Sequence, residues 1–179
     1  MVDMKQINRR VILKKRNALS KDEIIKKSSI IKNNLFSSQE YKKSKVIMFY
    51  VSFGSEVNTM EMIKEALKEK TVCVPVVEKD RMIASIIDRI DDLNKKNEYK
   101  ILEPTNIQKI ESKEIDLVIV PGVVFDKTAH RIGYGKGYYD KFLKDFKGKK
   151  IGLAFNMQIM EIIPKDRWDI GLDKVISEV

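Results

Sequence analysis

Residues 131–140 read Arg-Ile-Gly-Tyr-Gly-Lys-Gly-Tyr-Tyr-Asp, and their chemistry is that of holding an anion. Gly133, Gly135 and Gly137 alternate with larger residues just ahead of a stretch of helical character. Glycine reaches backbone angles closed to other residues, so successive amide N–H groups can converge on one anion, and the start of a helix adds partial positive charge. Arg131 before the turn and Lys136 inside it can add charge-assisted bonds to phosphate oxygens. The segment follows a strand that ends at Pro121-Gly122, with a loop between. This is not a Walker loop, which carries Gly-Lys followed by Ser or Thr, and Tyr138 stands where a dinucleotide fold would place its third glycine. A plain strand-to-helix turn would use the same glycines, but the clustering of Arg131, Lys136, Tyr138, Tyr139 and Asp140 around them favours a phosphate cradle. Asp140, in the first helical turn, can equally serve to stabilise the helix dipole.

Such residues need a rigid frame, and the rest of the chain has the pattern of one. Apolar runs at 46–51, 72–77, 115–120 and 151–155 have the length and continuity of strands buried on both faces. Helical spacing is present at 59–70, where Asn58 can cap, and at 137–146. Strand alternating with helix predicts an α/β fold: a single domain over residues 1–179, with a mostly parallel sheet, right-handed crossovers and helices on both faces. Ahead of the first strand, Ile7, Val11 and Leu13, then Ile24, Ile25, Ile30, Ile31 and Leu35, predict an N-terminal helical pair. Ser20 with Glu23 three residues on is a capping box that starts the second helix. Residues 81–113 are less regular: 82–87 can be a strand, 91–97 a polar turn or short helix, and Glu103-Pro104 stops any helix.

The chain carries 35 Lys and Arg against 26 Asp and Glu, a net charge of +9. The two signs are interleaved along the chain, as on solvated helix faces, so a nucleic-acid partner is not expected. Cys73 is the only cysteine, which excludes an intrachain disulfide and a cysteine metal cluster and points to a reducing compartment. Residues 1–20 are too charged for a signal peptide, and no stretch approaches the roughly 20 apolar residues of a membrane span, so a cytoplasmic protein without a membrane partner is expected. His130, the only histidine, sits in a loop and reads as a solvent-exposed bystander.

Pro121-Gly122, Phe125-Asp126 and the run at 131–140 together resemble the signature of the 5-formyltetrahydrofolate cyclo-ligase family, also called methenyltetrahydrofolate synthetases. Further landmarks follow in order: Lys5 and Arg9, residues 50–59 with Glu56, Leu102-Glu103-Pro104, residues 151–158, and Asp169 with Leu172-Asp173. The resemblance spans nearly the whole chain and is weakest over 80–98. Ala129 and Lys100 stand where the family commonly has glycine, Trp168 replaces a frequent histidine, and Val76-Val77 lack an arginine often seen there.

The resemblance implies an ATP- and Mg2+-dependent enzyme that converts 5-formyltetrahydrofolate to 5,10-methenyltetrahydrofolate with release of ADP and phosphate, through a phosphorylated formyl (imidate phosphate) intermediate. Such catalysis is chiefly positioning and charge neutralisation. The resemblance implies ATP contacts from Lys5, Arg9, Arg131, Ile132, Gly133, Tyr134, Gly135, Lys136, Gly137, Tyr138 and Tyr139, with Lys136 and Arg131 at the transferred phosphate. Lys5 and Arg9 are one helical turn apart and, taken without the resemblance, would read as a solvated face. Folate contacts fall on Val51, Glu56, Tyr134, Gly135, Lys136, Gly137 and Tyr138, and magnesium on Asp140 and Asp169. Phe53, Tyr134, Tyr138 and Phe155 are candidate walls for a flat heterocycle. The expected partners are small-molecule substrates only, bound by a monomer or weak homodimer. Other readings stay open: a sugar-phosphate isomerase or CoA-transferase-like enzyme, which needs no ATP hydrolysis, and a non-catalytic binder of folate, nucleotide or RNA.

Overall fold

The computed structural model describes residues 3–179; Met1 and Val2, the first residues of the expected domain, lie outside the described residues. Helices α1 (Met4–Asn17), α2 (Lys21–Ser37) and α3 (Gln39–Lys43) precede β1 (Val46–Met48) and α4 (Met60–Ala66). Then come β2 (Thr71–Glu78), β3 (Arg81–Ile87), β4 (Leu93–Lys96), β5 (Leu102–Pro104) and β6 (Gln108–Ile110). The last third holds β7 (Leu117–Val120), β8 (Val124–Asp126), β9 (Arg131–Ile132), α5 (Tyr138–Leu143), β10 (Lys149–Leu153), β11 (Ile159–Met160) and β12 (Lys174–Ile176).

Seven strands form the main sheet in the order β12-β10-β7-β1-β2-β3-β6. Pairing is parallel from β12 through to β2 and antiparallel from β2 to β6, so the expected mostly parallel sheet is present. Its continuous apolar runs are continuous because both faces are covered. Ile47, Val72, Val74, Leu117 and Ile119 pack with Ile31 and Leu35 of α2 and Met62 and Ile63 of α4. Their neighbours Met48, Cys73, Val118 and Val120 point the other way, toward Leu143 of α5 and Phe146. Helices therefore lie on both faces.

The predicted capping box starts α2: the Ser20 hydroxyl accepts from the Glu23 amide at 3.2 Å and the Glu23 carboxylate accepts from the Ser20 amide at 2.8 Å. At α4 the cap position is Thr59, yet the capping bond comes from Asn58, whose side-chain oxygen accepts from the Met60 amide at 2.9 Å. The helical pair divides its work. While α2 lies on the main sheet, Ile12 of α1 packs with Val123, Val124, Ile132 and Ile163 around a small sheet of order β11-β8-β9.

Several expectations need correction. Val11 is 45% exposed and Ile25 59% exposed; α1 buries Ile12 and Arg16 instead. Regular pairing in the first strand stops at Met48, although the Phe49 amide still reaches the Cys73 carbonyl at 3.0 Å, and the chain then leaves the sheet toward the site. The polar stretch 91–97 is only briefly helical: a 3-10 turn (Ile90–Asp92) gives way to β4, which pairs antiparallel with β5. Buried Glu103 accepts from the Val77 amide at 3.1 Å and the Asn97 side chain at 2.9 Å, so a carboxylate ties the hairpin to β2, while Leu93 joins the main core.

The loop expected after Pro121-Gly122 contains the β8–β9 hairpin. Buried Asp126 organises its turn, accepting from the Thr128 amide and hydroxyl and from the His130 amide, and a further bond from the Ile163 amide ties in the following segment. His130 is half-buried, with Nδ1 3.0 Å from the Thr128 hydroxyl and its ring against Gly171, rather than free in solvent. Ala129 and Lys100, the two positions where a glycine was expected, have φ of 60° and 61°. The left-handed conformation costs an L-residue about 1–2 kcal/mol and glycine nothing, which is the physical reason for a glycine there.

Candidate functional site

A cleft of about 1120 Å³ opens beyond the C-terminal ends of β1, β2 and β7, where open α/β sheets place their ligands. Every residue singled out above as a nucleotide, folate or metal contact lines it. Lys5 and Arg9 come from α1, Val51 and Glu56 from the segment after β1, the whole of 131–140 from the glycine-rich loop and the start of α5, and Asp169 from the C-terminal segment. The cleft thus joins parts of the chain more than 160 residues apart, and Lys5 bonds directly to Asp169 and, at 2.6 Å, to Asp166.

In the glycine-rich loop Gly135 and Gly137 have φ of 95° and 68°, and Gly137 immediately precedes the six-residue α5. A side chain at Gly135 would find room, its nearest neighbour being the Arg9 guanidinium at 3.7 Å, so backbone conformation rather than space demands glycine there. Arg9 Nε donates to the Gly133 carbonyl at 2.8 Å and fastens the loop to α1. Lys136 reaches out of the loop, its Nζ 5.9 Å from the centre of the Tyr99 ring. That contact is a cation–π interaction from the β4–β5 hairpin.

Arg131, expected at the transferred phosphate, is 8% exposed and already engaged: it donates to Asp140 at 3.0 Å and to the Ile170 carbonyl at 3.1 Å. Asp140 Oδ1 also accepts from the Ile170 amide at 3.1 Å, and Asp169 Oδ2 accepts from Lys5 and from the Asp166 amide. Burial pushes the Asp169 carboxyl up, but the Asp166 amide and Lys5 outweigh it and hold it below its ordinary value. Partial burial pulls Lys5 down, and its bonds to Asp166 and Asp169 lift it above its ordinary value. These contacts engage Oδ1 of Asp140 and Oδ2 of Asp169, leaving each carboxylate a second oxygen. Among the described residues no group of three or more His, Cys, Asp or Glu could hold a metal unaided. Two carboxylates that share their ligand shell with phosphate oxygens fit the way magnesium arrives with a nucleotide, so the donor set suits that ion.

At the other end Glu56 is buried, with Oε1 accepting from the Tyr134 hydroxyl at 3.1 Å and Oε2 from the Phe53 amide at 3.1 Å. Burial pushes its pKa up to about 7, against the pull of the Phe53 amide, Arg16 and Tyr134. The rings of Phe53 and Tyr134 lie 5.6 Å apart at 40° and form one apolar wall. Phe155, the fourth candidate wall, is fully buried in the core behind the sheet. The Tyr139 hydroxyl is buried against the cleft with no hydrogen-bond partner among the described residues, and burial raises its pKa far above the ordinary value.

Arg16 and Tyr99 were missed from sequence. Arg16, 2% exposed, bonds the Tyr134 hydroxyl at 2.6 Å and the Ser55 hydroxyl at 3.0 Å. A helical wheel would have found it, since 5, 9, 12 and 16 fall on one face. Tyr99 lies in the least legible segment, and nothing in its neighbours marks it. Trp168, a departure from the family pattern in sequence, lines the cleft and is 62% exposed beneath the Arg167 guanidinium.

Comparison with known proteins agrees in extent and fold. Residues 2–178 match the profile of the 5-formyltetrahydrofolate cyclo-ligase family. A 5-formyltetrahydrofolate cyclo-ligase of Mus musculus is 31% identical over 188 residues, which cover 94% of this chain and 91% of the mouse protein. The solved 5,10-methenyltetrahydrofolate synthetase of Aquifex aeolicus superimposes with a TM-score of 0.90 at 36% identity, covering 98% of this chain and 90% of that one. The synthetase from Mycoplasma pneumoniae gives a TM-score of 0.79 at 28% identity, covering 98% and 99%.

Proposed function

The chain belongs to the 5-formyltetrahydrofolate cyclo-ligase family, and on that premise we propose that it converts 5-formyltetrahydrofolate and ATP into 5,10-methenyltetrahydrofolate, ADP and phosphate, the whole chain acting as one domain. The observation that carries this reading is one cleft with a cationic, glycine-rich loop at one end, a buried carboxylate at the other, and Tyr134 belonging to both. Its volume lies just above the ~300–1,000 Å³ range typical of a site for one small molecule, as suits two substrates held side by side.

In this reaction the formyl oxygen attacks the γ-phosphorus of ATP and ADP leaves. The folate nitrogen then attacks the activated carbon, and phosphate leaves as the ring closes. Little covalent chemistry falls to the protein; its task is to position two polyanions and neutralise them. Arg9 and the amides of 133–137 bind the phosphates, with Lys136 at the transferred group. Arg131 holds Asp140 in place and presents its remaining N–H groups to the same phosphate. Glu56 accepts from the amino and amide protons of the pterin ring, beside Val51 and the Phe53–Tyr134 wall. Asp140 and Asp169 would hold magnesium, which when bound shields phosphate charge. A cytoplasmic setting accords with the lone thiol of Cys73, whose pKa burial raises to about 12 and which is thus poorly reactive.

The test is near-ultraviolet absorbance of the methenyl product in the presence of 5-formyltetrahydrofolate and magnesium, with ATP added or withheld. Product forms only with ATP, and Lys136→Ala lowers kcat by about 10²–10³-fold, the cost of one preorganised charge at a transition state. Undiminished turnover in both Lys136→Ala and Asp140→Ala would sink the site assignment; product without ATP would sink the reaction.

A further inference from the structure

Arg16 has no part in the contacts assigned above, yet enclosing a guanidinium this thoroughly costs several kcal/mol unless its donors are met. It meets acceptors from three separate segments: the Ser55 hydroxyl beside Glu56 at 3.0 Å, the Gly122 carbonyl beyond β7 at 3.5 Å, and the Tyr134 hydroxyl of the glycine-rich loop at 2.6 Å. Ser55 is held further by its bond to Asn17, the last residue of α1.

Chemistry fixes the direction of this chain. An arginine can only donate, so the Tyr134 oxygen accepts from Arg16 and the Tyr134 proton is left for Glu56 Oε1, 3.1 Å away. The Phe53 amide occupies Oε2. In ionised Glu56 each carboxylate oxygen is oriented by one protein donor and keeps a lone pair for a donor on a ligand. We propose that Arg16 is a positioning residue for the folate half-site: acting through the Tyr134 hydroxyl, it fixes Glu56 as an acceptor at both oxygens and couples it to the glycine-rich loop. The proposal rests on the folate reading given above.

A merely structural arginine would weaken both substrates alike, whereas a positioning one acts on folate. Calorimetry of 5-formyltetrahydrofolate without ATP, and of ATP without folate, reads the two separately. Tyr134→Phe removes one hydroxyl from a partly exposed ring and leaves the fold intact. It and Arg16→Gln each weaken folate binding about tenfold, the worth of one bond to a charged group. The double variant loses little more than either single one, because both break the same relay, and in each variant ATP affinity falls less than folate affinity, since the Tyr134 ring and the loop amides are kept. Arg16→Lys, which keeps the charge but not the fork, recovers part of the folate affinity. Should Arg16→Gln fail to fold, Arg16→Lys and its double variant with Tyr134→Phe carry the same comparison. Additive losses, a parallel fall in ATP affinity, or unchanged folate binding in Tyr134→Phe would overturn the proposal. Wild-type protein that binds ATP but not folate would overturn the folate reading itself, and this inference with it.

Discussion

Helix α2 turns Ser28, Ile31 and Leu35 toward the main sheet, whereas α1 turns Lys5 and Arg9 into the cleft and buries Ile12 and Arg16. The steps between those positions are the same threes and fours of an α-helix; only the residue type on the inner face differs. Burial of α2 comes mostly from apolar area, with the Ser28 hydroxyl accepting from the Asn58 amide at 2.9 Å. Burial of α1 comes from hydrogen bonds to the Ser55 and Tyr134 hydroxyls and the Gly122 and Gly133 carbonyls, with Ile12 as its apolar anchor. One helix is scaffold and the other is half of the site, although both carry lysines outside.

The sharpest way to break that contrast is to truncate one inner residue of each helix. Arg9→Ala, which loses the bond to Gly133, lowers kcat/KM for ATP by about 10²–10³-fold in steady-state assays while the thermal midpoint moves by only a few degrees. Leu35→Ala does the reverse: it lowers unfolding free energy by about 2–5 kcal/mol in denaturant titration and leaves both KM values within about twofold. A KM change of equal size in both would erase the distinction.

Next in size is a pH effect confined to the α1 side. Burial keeps the Glu56 proton in the folded protein up to about pH 7, well above the ordinary value of 4.5. The folded state therefore binds more protons than the unfolded one between those values, and this group's contribution to stability is complete below the unfolded value and is lost as pH rises through the folded one. Glu56→Gln flattens that slope and raises stability at pH 8 by about 1–3 kcal/mol, while weakening folate binding. Thermal melts from pH 5 to 8 check it; an unchanged slope means that Glu56 ionises freely.

The smallest effect lies in the loops, away from both helices. Lys100→Gly and Ala129→Gly each relieve a left-handed residue worth about 1–2 kcal/mol and lose about 0.4–1 kcal/mol to the freer unfolded chain. The net is a gain of about 0.5–1 kcal/mol apiece, measurable by chemical denaturation. A loss of stability in either would show that local contacts make the positive φ cost-free.

The strands of the parallel core were legible because two-sided burial leaves unbroken apolar runs, and α2 because its capping box and apolar stripe agree. The glycine-rich loop was legible through its alternation and its flanking charges. What stayed hidden was held by polar groups. β4 exposes most of its residues, and its hairpin is fixed through Glu103; β8 and β9 are too short for periodicity, and Asp126 shapes their turn; Arg16 sits where a hydrophobic pattern expects an aliphatic. Tyr99 joins the cleft only because that hairpin folds back to it.

The stripe on α1 also behaves as a ruler. From Lys5 to Arg16 the helix climbs eleven residue steps, about 16 Å at 1.5 Å each. The separation between the two ends of the cleft is therefore set by helical pitch rather than by loops that can stretch. One residue added between Arg9 and Arg16 would swing everything beyond it by about 100° and carry Arg16 off Tyr134. A residue added among Ala18, Leu19 and Ser20 would disturb neither end, so the count is rigid inside the helix and free just outside it.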